Sequence, residues 1–187
     1  MLRCYITDRN TLPSGTLLGA IARNLAAGVD WIQIREKSLS ARALFALVEA
    51  ACKLENPHGG KILVNSRVDV ALAAGAAGVH LPAGSPPPRV WRAMLPPGFL
   101  MGVSCHSVKE LREAQAEDAD YALFGPVFAP LSKPTELDPR GIDALSEAIR
   151  AVRIPILALG GITAGNSADC MAAGAAGVAG ISLFQKK

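Results

Sequence analysis

The heptapeptide Ala73-Ala74-Gly75-Ala76-Ala77-Gly78-Val79 occurs twice in this chain, since residues 172–178 repeat it letter for letter. In each copy the alanines end a helical stretch, a glycine follows, and a short apolar run begins. Glycine just past a helix end adopts the left-handed conformation that closes the last turn. A shorter version of the same motif is Ala26-Ala27-Gly28-Val29. The repeat therefore predicts a chain that alternates helices with short buried strands.

Eight short apolar runs along the chain are candidate strands. They cover residues 2–7, 31–35, 61–65, 78–81, 100–104, 121–125, 155–159 and 177–182. The clearest helices between them are predicted at 16–27, 40–55, 107–118 and 141–152. Ser40 and Ser107 are suitable N-caps, and Glu110 would complete a capping box with Ser107.

The alternation of strands and helices implies a parallel sheet, and eight units imply a closed (β/α)₈ TIM barrel in a single domain spanning residues 1–187. A doubly wound sheet is the alternative, but it usually has fewer strands and a glycine-rich first turn. Barrels of this type usually have about 250 residues, and about 200 is near the minimum. Since only five residues follow Ser182, we expect a shortened or missing last helix. A trimmed C-terminus, or a partner subunit that covers this face, would explain the same feature.

Composition argues for a globular protein that binds neither nucleic acid nor membranes. Half of the 187 residues are apolar, 19% are charged, and the formal net charge is +3, which gives no reason to expect a polyanionic partner. Aromatic residues make up only 5%, too few for stacking on single strands. No secretory signal or membrane-spanning stretch is recognisable. The four cysteines are scattered, and we therefore expect reduced thiols in a cytoplasmic protein.

The second candidate strand carries polar and cationic residues on one face. Gln33, Arg35 and Lys37 alternate with Ile32 and Ile34, so the two sets point in opposite directions. An unpaired buried charge is very costly, and these side chains therefore need partners. The partner is either a structural carboxylate or a bound anion, such as a phosphate or a carboxylate ligand. The polar strand ends elsewhere in the chain favour the ligand.

The ends of the last two candidate strands predict a phosphate site. Active sites of TIM barrels lie at the carboxyl ends of the strands. Gly160-Gly161 follows the seventh strand and Ile181-Ser182 ends the eighth, and glycine lets backbone amides approach an anion closely. Ser132 and Lys133 belong to a long loop that could close over the phosphate. A solvated loop stiffened by prolines is the alternative for that segment.

Further polar residues end the third and fifth strands. Asn65 ends the third, and Ser104 and His106 lie two residues apart at the end of the fifth, so these two share a direction. His106 is the best catalytic candidate, because imidazole takes and returns a proton near neutral pH. A purely structural strand-end histidine is the alternative. His80 is the next candidate, unless it is a satisfied core residue, and Cys105 would face the helices as inert packing.

Several motifs, in order along the chain, resemble those of a known family. They are Tyr5-Ile6-Thr7-Asp8, Gln33-Ile34-Arg35-Glu36-Lys37, Asn65-x-Arg67-Val68-Asp69, Gly78-Val79-His80-Leu81, Gly102-Val103-Ser104-Cys105-His106-Ser107, Phe124-Gly125-Pro126-Val127-Phe128 and Gly160-Gly161-Ile162. Their order and spacing resemble the thiamine-phosphate synthase superfamily, which includes the TenI-type thiazole tautomerases. The resemblance covers nearly the whole chain. It implies the same TIM barrel and a small phosphorylated thiazole as ligand.

Two departures from the family pattern bear on the choice between its branches. The synthases join a pyrimidine diphosphate to thiazole phosphate with Mg²⁺, and their pattern has Asn-Asp-Arg after strand three and a second aspartate after strand four. This chain has Asn65-Ser66-Arg67, and Leu81-Pro82-Ala83-Gly84-Ser85 contains no carboxylate. Mg²⁺ is usually bound by one or two carboxylates plus substrate phosphates. The resemblance therefore implies the tautomerase branch, an isomerase with no metal site and no cofactor.

In that interpretation the candidate residues share a proton shift on the thiazole carboxylate phosphate. His106 would move the proton, while Arg35 and Lys37 would pair with the ring carboxylate or stabilise developing charge. The other residues would orient the ring (Gln33, Asn65, Ser104) or hold the phosphate (Gly160, Gly161, Ile181, Ser182, Ser132, Lys133). Two alternatives stay open: a Mg²⁺-dependent synthase with a rearranged metal site, and a non-catalytic regulatory protein that binds a thiamine precursor. A homodimer formed through exposed barrel helices is a further expectation.

Overall fold

Eight parallel strands close into a barrel in the computed structural model of this chain, which describes residues 1–129, 131 and 138–185. The strands are β1 (Leu2–Ile6), β2 (Trp31–Ile34), β3 (Lys61–Asn65), β4 (Gly78–Leu81), β5 (Leu100–Cys105), β6 (Tyr121–Phe124), β7 (Ile156–Leu159) and β8 (Gly177–Gly180). Each strand pairs with the next, and β8 closes the barrel against β1 with Leu2 opposite Gly177. The predicted TIM barrel is confirmed and the doubly wound alternative is wrong. All eight predicted strands agree with the observed ones to within two residues.

Helices alternate with the strands around the barrel. They are α1 (Leu17–Ala26), α2 (Ala41–Cys52), α3 (Val68–Ala73), α4 (Arg89–Arg92), α5 (Val108–Ala116), α6 (Gly141–Ala151) and α7 (Ser167–Ala172). Thr16, Ser40 and Ser107 begin α1, α2 and α5, because each side-chain oxygen accepts a hydrogen bond from the backbone N–H three residues later. The clearest predicted helices are therefore confirmed, whereas α3, α4 and α7 are too short to show a helical period. In the part of the chain that the structure describes, no helix is long and apolar enough to cross a membrane.

The two glycine positions of the repeated heptapeptide have different structural purposes. Gly75 and Gly174 follow α3 and α7 with φ of 72° and 98°, the left-handed conformation that glycine adopts without a steric penalty. Gly78 and Gly177 begin β4 and β8, where a Cβ atom would overlap the backbone carbonyl of a residue on the neighbouring strand. The same seven letters therefore end a helix and start a closely packed strand at two places in the barrel.

Apolar side chains fill the interior of the barrel and the layer between strands and helices. Cys4, Ile6 and Leu63 belong to the interior cluster, together with Leu123 and Leu157. On the opposite face of the strands, residues such as Ile32 and Ile34 are completely buried among the helices. Because these side chains fill the interior, a ligand that enters the barrel finds room at the carboxyl ends of the strands.

A turn follows β8 where a regular barrel would have a helix. The backbone N–H groups of Phe184 and Gln185 both donate to the carbonyl of Ile181. The Phe184 ring lies 5.9 Å from the Tyr5 ring, and the buried Gln185 side chain donates to the carbonyl of Asp8 at 2.9 Å. These contacts attach the segment after β8 to the end of β1. The expected shortening of the last helix is thus confirmed among the described residues.

Candidate active site

The carboxyl ends of the strands surround an open cavity of about 890 Å³. Every predicted site residue within the described part of the chain lines it: Gln33, Arg35, Lys37, Asn65, Ser104, His106, Gly160, Gly161, Ile181 and Ser182. Ser132 and Lys133 lie outside the described residues. The polar strand ends therefore converge on one rim, while the role of each residue stays a prediction.

The cationic side chains of Arg35 and Lys37 line the cavity, and no described residue is their acidic partner. Neither forms a salt bridge within residues 1–129, 131 and 138–185. Glu36, which lies between them, is 6% exposed, and its carboxylate accepts hydrogen bonds from Thr7 Oγ1 at 2.7 Å and from the backbone N–H of Arg9 at 3.2 Å. The nearest structural carboxylate in the sequence is thus engaged elsewhere. This arrangement favours a bound anion as the partner of the two cations.

Replacing Glu36 with glutamine should lower the free energy of unfolding by about 1–3 kcal/mol. The amide would leave the buried hydroxyl of Thr7 and the partly buried N–H of Arg9 with fewer acceptor sites than the carboxylate provides. Glu113→Gln is the matched control, because that exposed carboxylate has only a 3.8 Å contact with Lys109 and should change stability by less than about 0.5 kcal/mol. Urea denaturation measures both. Equal, small effects would contradict the buried role of Glu36.

Backbone amides after β7 and β8 provide a second place for an anion. Gly160 and Gly161 have φ of 96° and 62°, and a Cβ atom at Gly160 would lie 2.6 Å from Pro126 Cα. A Cβ atom at Gly161 would overlap the carbonyl of Ala129. The backbone N–H groups of Gly161 and Ser182 donate no hydrogen bond to any described residue. Unpaired amides beside glycines are a common way to bind phosphate.

A short chain of hydrogen bonds lies at the ends of β2 and β3. Gln33 Nε2 donates to Asn65 Oδ1 at 3.0 Å, and Asn65 Nδ2 donates to Ser66 Oγ at 2.7 Å. This orientation leaves Gln33 Oε1 buried and without a hydrogen-bond partner among the described residues. A buried acceptor without a partner costs free energy. Gln33 therefore offers a hydrogen-bond acceptor to a ligand that carries an N–H or O–H group.

The hydrogen bonds of His106 determine which ring nitrogen carries the proton when the ring is neutral. Its Nδ1 lies 2.5 Å from the carbonyl oxygen of Gly125, which can only accept, so Nδ1 carries the proton. The neutral ring then has an unprotonated Nε2, as a general base requires. The Glu110 carboxylate accepts a hydrogen bond from the backbone N–H of His106 at 2.6 Å. In the predicted capping box, this carboxylate would instead accept from the backbone N–H of Ser107. Glu110 therefore fixes the backbone at the candidate base as well as the start of α5.

His80 is buried and hydrogen-bonded through both ring nitrogens. It lies 3.2 Å from Tyr121 Oη and 2.8 Å from Ser104 Oγ. Burial, and to a smaller extent the charge of Arg35, lowers its pKa to about 3, so the ring is neutral at ordinary pH. Cys105 packs among the helices as predicted, and burial raises the pKa of its thiol to about 12. Neither side chain is suited to exchange a proton with a ligand near neutral pH.

Arg67 lines the same cavity, although it was not among the residues predicted to form the site. Its Nε donates to Asp69 Oδ1 at 2.8 Å, and this hydrogen bond lowers the pKa of the Asp69 carboxyl. The sequence could have predicted this, because Arg67 lies two residues after Asn65 and continues the polar end of β3. The hydrogen bond between Thr7 and Glu36 could not be predicted in this way, because 29 residues separate the two along the chain.

Comparison with known proteins agrees with this fold and site. Residues 4–184 match the family model described as thiamine monophosphate synthase. The chain belongs to this family. Thiamine-phosphate synthase of Methanoculleus marisnigri is 45% identical to it over 179 residues, which are 95% of this chain and 85% of the relative. That of Chlorobium luteolum is 40% identical over 183 residues, 98% of this chain and 84% of the relative. The solved structure of thiamine phosphate pyrophosphorylase from Pyrococcus furiosus has a TM-score of 0.88 at 30% identity, over 100% of this chain and 88% of that one.

Membership in the thiamine monophosphate synthase family confirms the predicted resemblance and links the chain to thiamine biosynthesis. The names of its relatives favour an enzyme, and specifically a transferase, over a non-catalytic binding protein. They give no support to an isomerase as the first choice. The synthase, which the sequence placed second, is therefore the better supported interpretation.

The donor atoms around the cavity do not fit a Mg²⁺ ion held by protein carboxylates. Ser66 stands where the resemblance implies an aspartate, and residues 82–85 contain no acid. Glu36 is the only carboxylate among the described residues that line the cavity, and its oxygens are already occupied. No group of three or more metal-binding side chains occurs in the described ranges. The cationic side chains of the described lining are Arg35, Lys37 and Arg67, and of these Arg67 is paired with Asp69.

Proposed function

We propose that this protein is a thiamine-phosphate synthase, a transferase that joins a pyrimidine diphosphate to thiazole phosphate. The observation that carries the proposal is that one cavity is lined by two groups of residues suited to bind an anion. Arg35 and Lys37 follow β2 and form no salt bridge with a described residue, and the backbone amides of Gly161 and Ser182, which donate to no described residue, follow β7 and β8. Two phosphorylated substrates need two such sites. The names of the relatives support the same reaction.

Coupling forms a bond between the thiazole ring nitrogen and the methylene carbon of the pyrimidine, and it breaks the bond from that carbon to the diphosphate. The diphosphate leaves with the bonding electrons, so negative charge grows on its oxygens. Arg35 and Lys37 stabilise this charge as it develops. The amides of Gly161 and Ser182 hold the thiazole phosphate in position for the attack. Gln33 Oε1 accepts a hydrogen bond from the amino group of the pyrimidine.

Incubation with both phosphorylated substrates tests the proposal, with and without added Mg²⁺. We expect thiamine phosphate and one equivalent of diphosphate to form, which chromatography and a diphosphate assay detect. If neither condition yields thiamine phosphate although both substrates bind, the synthase assignment is wrong.

A metal-free thiazole tautomerase is the second candidate, and two observations favour it. His106 lines the cavity with its Nδ1 hydrogen-bonded to the Gly125 carbonyl, and Glu36, the single carboxylate of the described lining, is engaged. A proton shift on carboxylated thiazole phosphate needs an anion site and a base, and it needs no metal ligand. Supplying this compound and following formation of the aromatic thiazole by ultraviolet absorbance tests the second candidate with the same protein preparation.

Ser66→Asp should raise the Mg²⁺-dependent rate of thiamine phosphate formation by about tenfold, equivalent to about 1.4 kcal/mol. The substitution adds a carboxylate at the rim, where Mg²⁺ prefers such a ligand. Ser66 has a φ of 66°, and aspartate is one of the few residues that tolerate this conformation. Ser167→Asp, outside the lining of the cavity, is the control and should leave the rate unchanged. Identical rates in the two variants would show that charge at position 66 does not limit the reaction.

A further inference from the structure

Three polar side chains form a continuous line from the barrel interior to the cavity. Tyr121 on β6 lies 3.2 Å from His80 Nδ1, and His80 Nε2 lies 2.8 Å from Ser104 Oγ, which faces the cavity. Tyr121 and His80 are each 1% exposed. The space for the Tyr121 ring exists because Gly102, its partner on β5, has no side chain; a Cβ atom there would overlap the ring. The arrangement is therefore built from residues on three adjacent strands.

The direction of these hydrogen bonds follows from the donors and acceptors available. Burial raises the pKa of Tyr121, so its hydroxyl keeps the proton, and His80 is its hydrogen-bond partner. No other acceptor for this hydroxyl is found among the described residues. Tyr121 therefore donates to His80 Nδ1, and the neutral ring carries its single proton on Nε2. His80 then donates to Ser104 Oγ, which leaves the Ser104 hydroxyl proton free to point into the cavity.

The opposite direction would leave a buried donor unsatisfied. If Ser104 donated to His80, Nδ1 would carry the proton and donate to Tyr121 Oη. The Tyr121 hydroxyl proton would then have no acceptor in the described part of the chain, which costs about 1–3 kcal/mol. The cavity would in that case meet only lone pairs of Ser104.

We infer that Tyr121 and His80 are positioning residues that make Ser104 a hydrogen-bond donor to the bound substrate. The substrate atom that Ser104 meets is then an acceptor, either an anionic oxygen or an unprotonated ring nitrogen. Gln33 Oε1 offers the complementary acceptor, so the cavity floor carries one fixed donor and one fixed acceptor. The identity of the substrate rests on the proposed function, whereas the direction of the hydrogen bonds does not.

Nitrogen-15 NMR of the histidine rings in the wild-type protein tests the inference without any substrate. Protonated and unprotonated ring nitrogens give well-separated signals, and His58→Asn and His106→Asn variants assign the three histidines. We expect His80 to be protonated on Nε2 alone between pH 5 and pH 8. Protonation of His80 on Nδ1, or a doubly protonated His80 ring in this range, would overturn the inference whether or not the proposed reaction occurs.

A double-mutant cycle then tests whether the direction matters for the substrate. Ser104→Ala should lower kcat/KM for coupling about tenfold or more, mainly through KM, and Tyr121→Phe should lower it about threefold to tenfold. Because Tyr121 acts through Ser104, the double variant should be no slower than Ser104→Ala alone. Multiplication of the two single effects would contradict the inference and indicate that Tyr121 only packs the core. The wild-type NMR result stands independently if a variant folds poorly.

Discussion

Arg35→Gln is expected to lower kcat for thiamine phosphate formation by about 10²–10³-fold, the usual effect of removing one preorganised group that stabilises developing charge. Arg35 lies at the end of β2, lines the cavity and forms no salt bridge with a described residue. The departing diphosphate gains negative charge in the transition state, so the loss should fall on kcat more than on KM. Steady-state kinetics with varied pyrimidine diphosphate measure the two separately.

Arg112→Gln is the matched control for this variant. Arg112 is exposed on α5 and does not line the cavity, so the same loss of charge should leave kcat within about twofold of the wild type at moderate ionic strength, where distant charges are screened. If the two variants have similar kcat values, Arg35 does not stabilise the leaving group. A change confined to KM would instead assign Arg35 to ground-state binding.

His106→Ala is expected to slow conversion of carboxylated thiazole phosphate by about 10²–10⁴-fold, the usual contribution of a positioned base. Because Nδ1 is hydrogen-bonded to Gly125, Nε2 is the ring nitrogen left to exchange a proton, and the backbone is held independently by Glu110. The variant should therefore keep its fold and its affinity for the phosphate group. Single-turnover absorbance measurements give the rate.

The exposed His58 provides the control, since His58→Ala removes an imidazole outside the lining of the cavity. A wild-type protein that converts the compound, together with a His106→Ala variant of unchanged rate, would exclude His106 as the base. The same assay separates the two proposed reactions, because coupling requires no proton to move at His106.

The barrel could be predicted from sequence because its signals are local. The repeated heptapeptide places a helix end and a strand start within seven residues, and Gly75 and Gly174 have the positive φ values that this predicts. Strand alternation likewise placed Gln33, Arg35 and Lys37 toward one cavity. These inferences need only the period of a strand and the conformational range of glycine.

The hydrogen bonds that define the site could not be predicted, since they join distant parts of the chain. His80 and Tyr121 are 41 residues apart, and His106 and Gly125 are 19 apart. The orientation of Glu110 toward His106 depends on the local turn and differs from the predicted capping box. The sequence pattern alone also could not decide between the two reactions. Serine at position 66 argues against Mg²⁺ binding, whereas the relatives are named synthases.

We expect the rim cavity to recognise the phosphate of a phosphorylated thiazole. Isothermal titration calorimetry should compare thiazole phosphate with the corresponding unphosphorylated alcohol, for the wild type, Gly161→Ala and Gly75→Ala. Both glycines have positive φ, but only at Gly161 would a Cβ atom overlap a neighbouring backbone atom. We predict that the wild type and Gly75→Ala bind the phosphate ester about 100-fold more tightly than the alcohol, as two charge-assisted hydrogen bonds allow, and that Gly161→Ala loses most of this difference. Equal affinities of the wild type for the ester and the alcohol would contradict the claim.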